Sequence, residues 1–202
     1  MAFALVLLDM QKGILASDVI KFENSDTPKA VLRAADSMLV ATRLAGALVV
    51  HVGVARPRHR GAFDELRSAN AKKAGKAPRD VIALAQGTAE VEFLLPPASG
   101  EETIYKVGVS AFEGTRLDQV LRNAQVRDVV IAGAFTHMVV ESTVRQGFDL
   151  GYRMIVAEDA CCAPTLALHN NSLATGIPNF ALVMDSAGVI EKLQQGVTTV
   201  AA

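Results

Sequence analysis

Three segments of the chain carry side chains that could cooperate in hydrolysis. Asp9 ends the first apolar run, Lys106 follows a later one, and Thr136–Val139 follows a third. A carboxylate can act as general acid or base, and a neighbouring ammonium stabilises negative charge. A thiol in the third segment would complete a covalent hydrolase. Val139 occupies the position at which this chemistry requires the nucleophile, and a valine side chain cannot act as a nucleophile.

Short apolar runs that alternate with helical patterns must position these residues. The predicted strands are Phe3–Leu8, Leu48–Val54, Thr103–Tyr105, Val129–Ala132, Met154–Ala157 and Phe180–Met184. The predicted helices are Pro28–Ala45, Thr115–Ala124, His137–Leu150, Leu166–Thr175 and Ser186–Gln194. Continuous apolar strands separated by helices indicate a parallel sheet covered on both faces. We therefore expect a three-layer α/β/α fold in a single domain spanning residues 1–202.

The segment Ala55–Gly100 departs from this pattern. It is rich in Arg, Lys, Gly and Pro and has only weak periodicity, so we predict a long excursion over the sheet edge. Long loops of this kind often carry substrate contacts or a lid. Arg56, Arg58 and Arg60 could contact a carboxylate substrate there, although a solvated loop explains them as well.

In open parallel sheets, ligands bind beyond the carboxyl ends of the strands. Asp9, Lys106 and the turn at Thr136 all follow such ends, so the strand pattern brings them to one edge. Each has a simpler explanation: Asp9 could cap a turn, Lys106 could be a surface lysine and Thr136 could be a helix N-cap. Their convergence favours a common site.

Composition and charge restrict the class of protein. The 202-residue chain has a formal charge of −1, which offers no general attraction to nucleic acid or to acidic membranes. The adjacent Cys161 and Cys162 are poorly placed to bridge each other, which fits a reducing compartment, and we expect both to be packing residues. The first residues lack the basic region of a signal peptide. We expect a cytoplasmic protein that acts on a small molecule.

Three segments resemble, in order and spacing, the signatures of the isochorismatase-like (cysteine) hydrolase superfamily. They are Leu7–Gln11, Tyr105–Thr115 and Gly133–Thr143, and Glu158–Cys161 resembles a later strand end of the family. The resemblance extends from about Phe3 to Leu193. It implies a six-stranded, mainly parallel sheet of Rossmann-like topology and a homodimer or higher homo-oligomer.

The resemblance also assigns roles at the site. In the amidase branches, a Cys at the position of Val139 attacks the carbonyl, the Asp matching Asp9 takes the thiol proton, and the Lys matching Lys106 helps to hold the thiolate. The family places a non-proline cis peptide at the position of Ala134–Phe135. This bond would aim the backbone N–H groups of Phe135 and Val139 at an oxyanion.

The resemblance further suggests which residues contact the substrate. Gln11 and Phe112 lie in the same motifs as Asp9 and Lys106, and His137 resembles a polar residue of some members. The Asp-x-His pattern of the metal-binding branch is absent around Val50–Arg60, so we expect no catalytic metal. His51 is better explained as a core or strand-end histidine with a satisfied hydrogen bond. We see no phosphate-binding glycine loop and expect no cofactor.

Three hypotheses remain without a thiol at position 139. True isochorismatases also lack the cysteine; their Asp protonates the vinyl carbon of an enol ether and water attacks the oxocarbenium ion. We therefore favour a non-covalent hydrolase in which Asp9 is the acid or base, Lys106 its electrostatic partner and the Phe135 and Val139 amides the oxyanion donors. The second hypothesis is a degenerate member that binds a small molecule or has a structural role. The third is a covalent amidase that uses a displaced thiol.

Overall fold

The computed structural model describes residues 3–17, 20–55, 62–73 and 91–200. The predictions for Arg56, Arg58 and Arg60 fall outside these ranges.

Six strands form one parallel sheet. They are β1 Phe3–Leu8, β2 Leu48–Val54, β3 Glu102–Lys106, β4 Asp128–Ala134, β5 Arg153–Cys162 and β6 Ala181–Met184. Their order is β3-β2-β1-β4-β5-β6, and every neighbouring pair is parallel. β1 and β4 are fully buried, and all their residues except Asp128 at the start of β4 are apolar, as expected of central strands covered on both faces. The predicted sheet is confirmed. The strand order reverses between β1 and β4, which makes this the switch point where ligands bind in such folds.

Seven helices flank the sheet within the described residues. They are α1 Lys12–Leu15, α2 Thr27–Leu44, α3 Ala62–Lys73, α4 Leu117–Asn123, α5 Glu141–Asp149, α6 Leu166–Asn171 and α7 Ser186–Val200. In α2, Pro28 lies in the first turn and Gly46, with a φ of +63°, follows the end, as the sequence predicted. Its buried stripe packs on the sheet and on α7. No helix in the described ranges has the length and apolar character needed to cross a membrane.

Several elements differ from the sequence prediction. α3 lies inside the excursion that was predicted to contain no helix, and its Leu66 is 61% exposed, so the sequence shows no buried apolar stripe there. The predicted strand Met154–Ala157 is the first part of the longer β5, and α7 continues to Val200 beyond the predicted end at Gln194. The helix predicted from His137 instead begins with a π-helical turn, Thr136–Val140, before α5. The helix predicted over Leu166–Thr175 divides into α6 and a second π-helical turn.

The extra length of β5 comes from a bulge beside β4. Ile131 of β4 pairs with Val156 of β5, and Gly133 of β4 pairs with Cys161 of β5. Between these two pairs β4 advances by two residues and β5 by five, so β5 carries three additional residues. The exposed Asp159 lies in this bulge. It accepts hydrogen bonds from the backbone N–H and the hydroxyl of Ser186, at 2.7 and 2.6 Å, and thereby caps α7. A charged, exposed segment is therefore retained inside the strand.

A charged cluster joins α2, β2 and the start of β3 at the amino-terminal edge of the sheet. We call it the Glu101 cluster: Glu101, Arg43, His51 and the backbone N–H of Ala98. Arg43 donates to both oxygens of the Glu101 carboxylate, at 2.7 and 2.9 Å, and His51 Nε2 lies 2.9 Å from Oε2. The Ala98 N–H donates to the same oxygen at 2.8 Å. The prediction that His51 is a core histidine with a satisfied hydrogen bond is confirmed.

Charge-assisted hydrogen bonds dominate the electrostatics of this cluster. The hydrogen bonds from Arg43 are the main reason that the pKa of Glu101 is lowered from 4.5 to about 2. Burial lowers the pKa of His51, which favours the neutral ring. The cluster therefore holds a carboxylate that is ionised near neutral pH and whose two oxygens are both engaged.

Candidate functional site

The carboxyl ends of β1 and β3 bring Asp9 and Lys106 together. Asp9 directly follows β1, Lys106 is the last residue of β3, and β2 lies between the two strands. The lysine side chain is long enough to span this gap, and its Nζ lies 3.0 Å from Asp9 Oδ2. Each side chain is only 2% exposed. The structure therefore contains a buried ion pair at the edge where the sequence predicted a site.

The Asp9 carboxyl is only partly satisfied. Lys106 contacts Oδ2 and also donates to the Gly108 carbonyl at 3.2 Å. Asp9 Oδ1 is buried and has no hydrogen-bond partner among the described residues. Burial raises the pKa of Asp9, and its effect exceeds the opposing influence of Lys106. A buried carboxyl with a raised pKa and a free oxygen has the properties of a proton donor.

Backbone strain accompanies both strand ends at the switch point. Asp9 has a φ of +56° and Phe135, which follows β4, has a φ of +63°. A left-handed conformation is uncommon for any residue except glycine, and for a bulky aromatic residue it is a clear outlier. Such strain persists only where the surrounding structure enforces it, and it is found most often at functional sites.

The path of the chain after β4 corrects one prediction. The resemblance implied a cis peptide at Ala134–Phe135, but the described residues contain no cis peptide. The left-handed conformation of Phe135 reverses the chain instead. Gly133 precedes this reversal with a φ of +156°, and a Cβ there would lie 2.2 Å from the Leu8 carbonyl oxygen. Only glycine allows β4 to approach β1 this closely.

One of the two predicted oxyanion donors is engaged in this conformation. The Val139 N–H donates to the Phe135 carbonyl at 2.9 Å, because the turn uses that donor for its own closure. Val139 itself is 3% exposed and packs in the core.

His137, in the same turn, supplies a second unsatisfied atom. Its Nδ1 is buried without a partner, and burial lowers the pKa of the ring. Within the described residues, Asp9 Oδ1 and His137 Nδ1 are the two buried side-chain atoms of this kind. They follow β1 and β4, which are neighbouring strands. Because buried polar atoms are nearly always hydrogen-bonded, two unpartnered atoms on residues that follow neighbouring strands are unusual.

Gln11 lies beside the Asp9–Lys106 pair, because its partner Val54 is the register neighbour of Lys106, but the side chains of Gln11 and Phe112 are both engaged in contacts within the protein. The Gln11 side-chain amide donates to the Val54 carbonyl at 3.3 Å and accepts from the Val54 N–H at 2.9 Å. It therefore extends the backbone pairing of β2. The Phe112 ring stacks on Tyr152 with centroids 5.9 Å apart. Both side chains are buried in structural contacts, and neither offers a free group to a substrate.

Two threonines brace the turn from opposite sides. Thr143 Oγ1 donates to the Val139 carbonyl at 2.8 Å and accepts from the Ala111 N–H at 3.0 Å, which ties the turn to the loop after Lys106. Thr136 Oγ1 lies 2.8 Å from Nδ1 of His169 on α6. Sequence reasoning missed His169, because nothing local to α6 indicates a partner so distant in the chain.

The two cysteines have the properties of packing residues. Both thiols are free, and burial raises the pKa of both, that of Cys162 to about 12. They border a cleft of about 380 Å³ between the start of α2 and α6, yet both side chains are buried. A nucleophilic cysteine must be a thiolate near neutral pH, so neither one fits that role. Separately, the described residues contain no group of three or more His, Cys, Asp or Glu side chains that could hold a metal ion.

Comparison with known proteins gives a consistent result. The family model described as isochorismatase domain matches residues 3–188. The uncharacterized isochorismatase family protein YecD of Escherichia coli O157:H7 is 31% identical over 194 residues, which cover 94% of this chain and 95% of that protein. Ureidoacrylate amidohydrolase RutB of Acinetobacter baylyi is 34% identical over 114 residues, covering 55% of this chain and 46% of RutB. A solved isochorismatase family protein from Burkholderia thailandensis has the same fold, with a TM-score of 0.76 and 22% identity over 96% of each chain.

Proposed function

This chain belongs to the isochorismatase family of hydrolases, and from that membership we propose that it hydrolyses a small molecule without a cysteine nucleophile. Asp9 is the general acid or base and Lys106 its electrostatic partner. The observation that carries the proposal is the buried, unpartnered Oδ1 of Asp9 beside the 3.0 Å contact of Oδ2 with Lys106.

The absence of a usable thiol supports the non-covalent route. Position 139 is a valine, and the thiols of Cys161 and Cys162 lie in β5 with raised pKa values. Covalent attack needs a thiolate or an activated hydroxyl or amine. Water is therefore the nucleophile in this proposal, and the protein supplies proton transfer and electrostatic stabilisation.

The geometry of Asp9 suggests the order of proton transfers. The protonated carboxyl donates from Oδ1, the oxygen that Lys106 leaves free, to the substrate atom that must gain a proton. The resulting carboxylate is stabilised by the Lys106 ammonium, more strongly in a buried site than in water. Water then attacks the activated substrate, and its proton returns to Asp9. His137, whose buried Nδ1 has no partner among the described residues, would hold a polar group of the substrate.

Two substrate classes suit this chemistry. One is an amide-type substrate, since the relative RutB is named an amidohydrolase; here Asp9 would protonate the leaving nitrogen. The other is an enol ether, in which Asp9 would protonate the vinyl carbon. Both need the same proton donor and differ in the atom that receives the proton.

A second candidate function is ligand binding without catalysis. The burial of Asp9, Lys106 and Val139 favours it, because the pair is closed to solvent in this conformation. In that case Asp9 and Lys106 would recognise a ligand, and no substrate would be turned over.

Replacement of Asp9 separates the two functions. A panel of amides, esters and enol ethers is first screened for turnover by the wild-type protein. Asp9→Asn should then lower kcat by about 10²- to 10⁴-fold, the usual contribution of a general acid or base. Val139→Ala is the matched control and should retain turnover. Full activity in Asp9→Asn would contradict the proposed role of Asp9 in proton transfer. A panel without turnover, combined with a ligand whose thermal shift Asp9→Asn abolishes, would establish the binding function instead.

A further inference from the structure

We infer that His169 is a positioning residue for the proposed site: it fixes Thr136 and, through Thr136, the backbone that presents His137. This inference rests on the proposed function for its catalytic consequence, but its structural part can be tested without a substrate. His169 lies in none of the segments that resemble the family signatures.

The contact between the two side chains is specific and buried at one end. The Thr136 hydroxyl is fully buried and its oxygen lies 2.8 Å from His169 Nδ1, although the two residues are 33 positions apart. A buried hydroxyl that loses its partner destabilises the structure around it. His169 is the one side-chain partner of Thr136 among the described residues.

The placement of α6 argues that this contact is more than packing. None of the residues of α6 is buried, so the helix adds little to the core. Its start is held by Thr165, whose hydroxyl accepts from the Leu168 N–H, and by Glu23, whose carboxylate accepts from the Leu166 N–H at 2.9 Å. A short helix that is anchored at its start and directs His169 inward is suited to holding another element in place.

The turn that follows β4 needs such support. Phe135 adopts a strained left-handed conformation, and Thr136–Val140 is π-helical, a rare geometry found mostly at functional sites. Thr143 braces the far end of the turn at Val139, whereas His169 braces its beginning at Thr136. Since His137 is the next residue, loss of the His169 contact should displace its ring, whose Nδ1 is buried and unpartnered.

Two substitutions of His169 form a matched pair for the test. His169→Asn places an amide oxygen or nitrogen near the position of Nδ1 and can keep the hydrogen bond to Thr136, whereas His169→Leu has similar bulk and cannot. Thr136→Val removes the hydroxyl at nearly constant volume and breaks the same contact from the other side.

The first measurement is NMR of the protein labelled with ¹⁵N-histidine. His169→Leu and Thr136→Val should both shift the ring signals of His137, and His169→Asn should leave them near their wild-type positions. The His51 signals, which report on the distant Glu101 cluster, should not move in any variant. Unchanged His137 signals in His169→Leu would overturn the inference, whether or not the protein is an active hydrolase.

The second measurement uses whichever substrate the wild-type protein hydrolyses. His169→Leu and Thr136→Val should each lower kcat/KM by about 10- to 100-fold, as expected for a small misplacement of a site group. The double variant should be no worse than either single variant, because both break one contact. His169→Asn should recover most of the rate. His169→Asn can keep the hydrogen bond to Thr136 and His169→Leu cannot. An equal loss of rate in the two variants would therefore contradict the positioning role.

Discussion

One short strand, β3, separates two carboxylate clusters that differ in almost every respect. Glu101 precedes β3 at the amino-terminal edge of the sheet, and Lys106, the partner of Asp9, ends it at the carboxyl-terminal edge. The Glu101 carboxylate is engaged at both oxygens by Arg43, His51 and a backbone N–H. The Asp9 carboxyl is engaged at one oxygen and has an unpartnered second oxygen.

The pKa values of the two groups move in opposite directions for this reason. Hydrogen bonds from Arg43 lower the pKa of Glu101 to about 2, whereas burial raises the pKa of Asp9. A fully engaged carboxylate stabilises the fold around it. A buried carboxyl with an unsatisfied oxygen costs stability, and its retention is better explained by function. The amino-terminal edge therefore holds the fold together, and the carboxyl-terminal edge is the candidate site.

The largest stability effect should come from breaking the Glu101 cluster. Glu101→Gln keeps the shape of the side chain but removes the charge that Arg43 and His51 surround. We expect the free energy of unfolding to fall by about 1.5–3 kcal/mol, because the charge-assisted hydrogen bonds from Arg43 are weakened while the arginine side chain, 35% exposed, keeps part of its hydration. Urea denaturation with an unchanged m-value measures this loss. A midpoint equal to that of the wild-type protein would contradict the structural role of the cluster.

The same variant should change the response to acid. A carboxylate whose folded pKa lies below its unfolded value contributes stability above the unfolded pKa and loses it as the pH falls through the folded pKa. For Glu101 this window runs from 4.5 down to about 2. The wild-type protein should therefore lose stability across this window more steeply than Glu101→Gln.

A smaller effect is expected at the other edge. Replacing the pair by Asp9→Asn/Lys106→Met removes both ionisable groups together. We expect the free energy of unfolding to stay within about 1 kcal/mol of the wild-type value, because no buried ion is left without its partner. Turnover should be lost. A destabilisation as large as that of Glu101→Gln would show that the Asp9–Lys106 pair is structural and would remove the contrast between the two edges.

The sequence predicted the parts of the fold that depend on local pattern. β1 and β2 begin and end where predicted, because both are uninterrupted apolar runs. The end of β5 could not be predicted, because Asp159 is charged and exposed and is retained through the cap of α7. The sequence did not predict α3, because this segment has no apolar stripe at helical spacing and resembles a loop in its composition.

The site follows a similar division. The meeting of Asp9 and Lys106 could be expected, since the carboxyl ends of parallel strands share an edge. The occupied amide of Gln11, the use of the Val139 N–H within its own turn and the contact of His169 with Thr136 could not. These depend on backbone closure and on partners distant in the chain, which residue types and spacing do not determine.

Asp9 and Glu101 should differ in the pH at which each carboxyl group binds a proton, and a carboxyl ¹³C NMR titration measures this difference. We expect Glu101 to titrate near pH 2 and Asp9 to titrate above 3.8, its value without burial. Asp9→Asn and Glu101→Gln would assign the two signals. A titration of Asp9 at or below 3.8 would contradict the account, because Lys106 would then outweigh burial and Asp9 would be a structural counter-ion like Glu101.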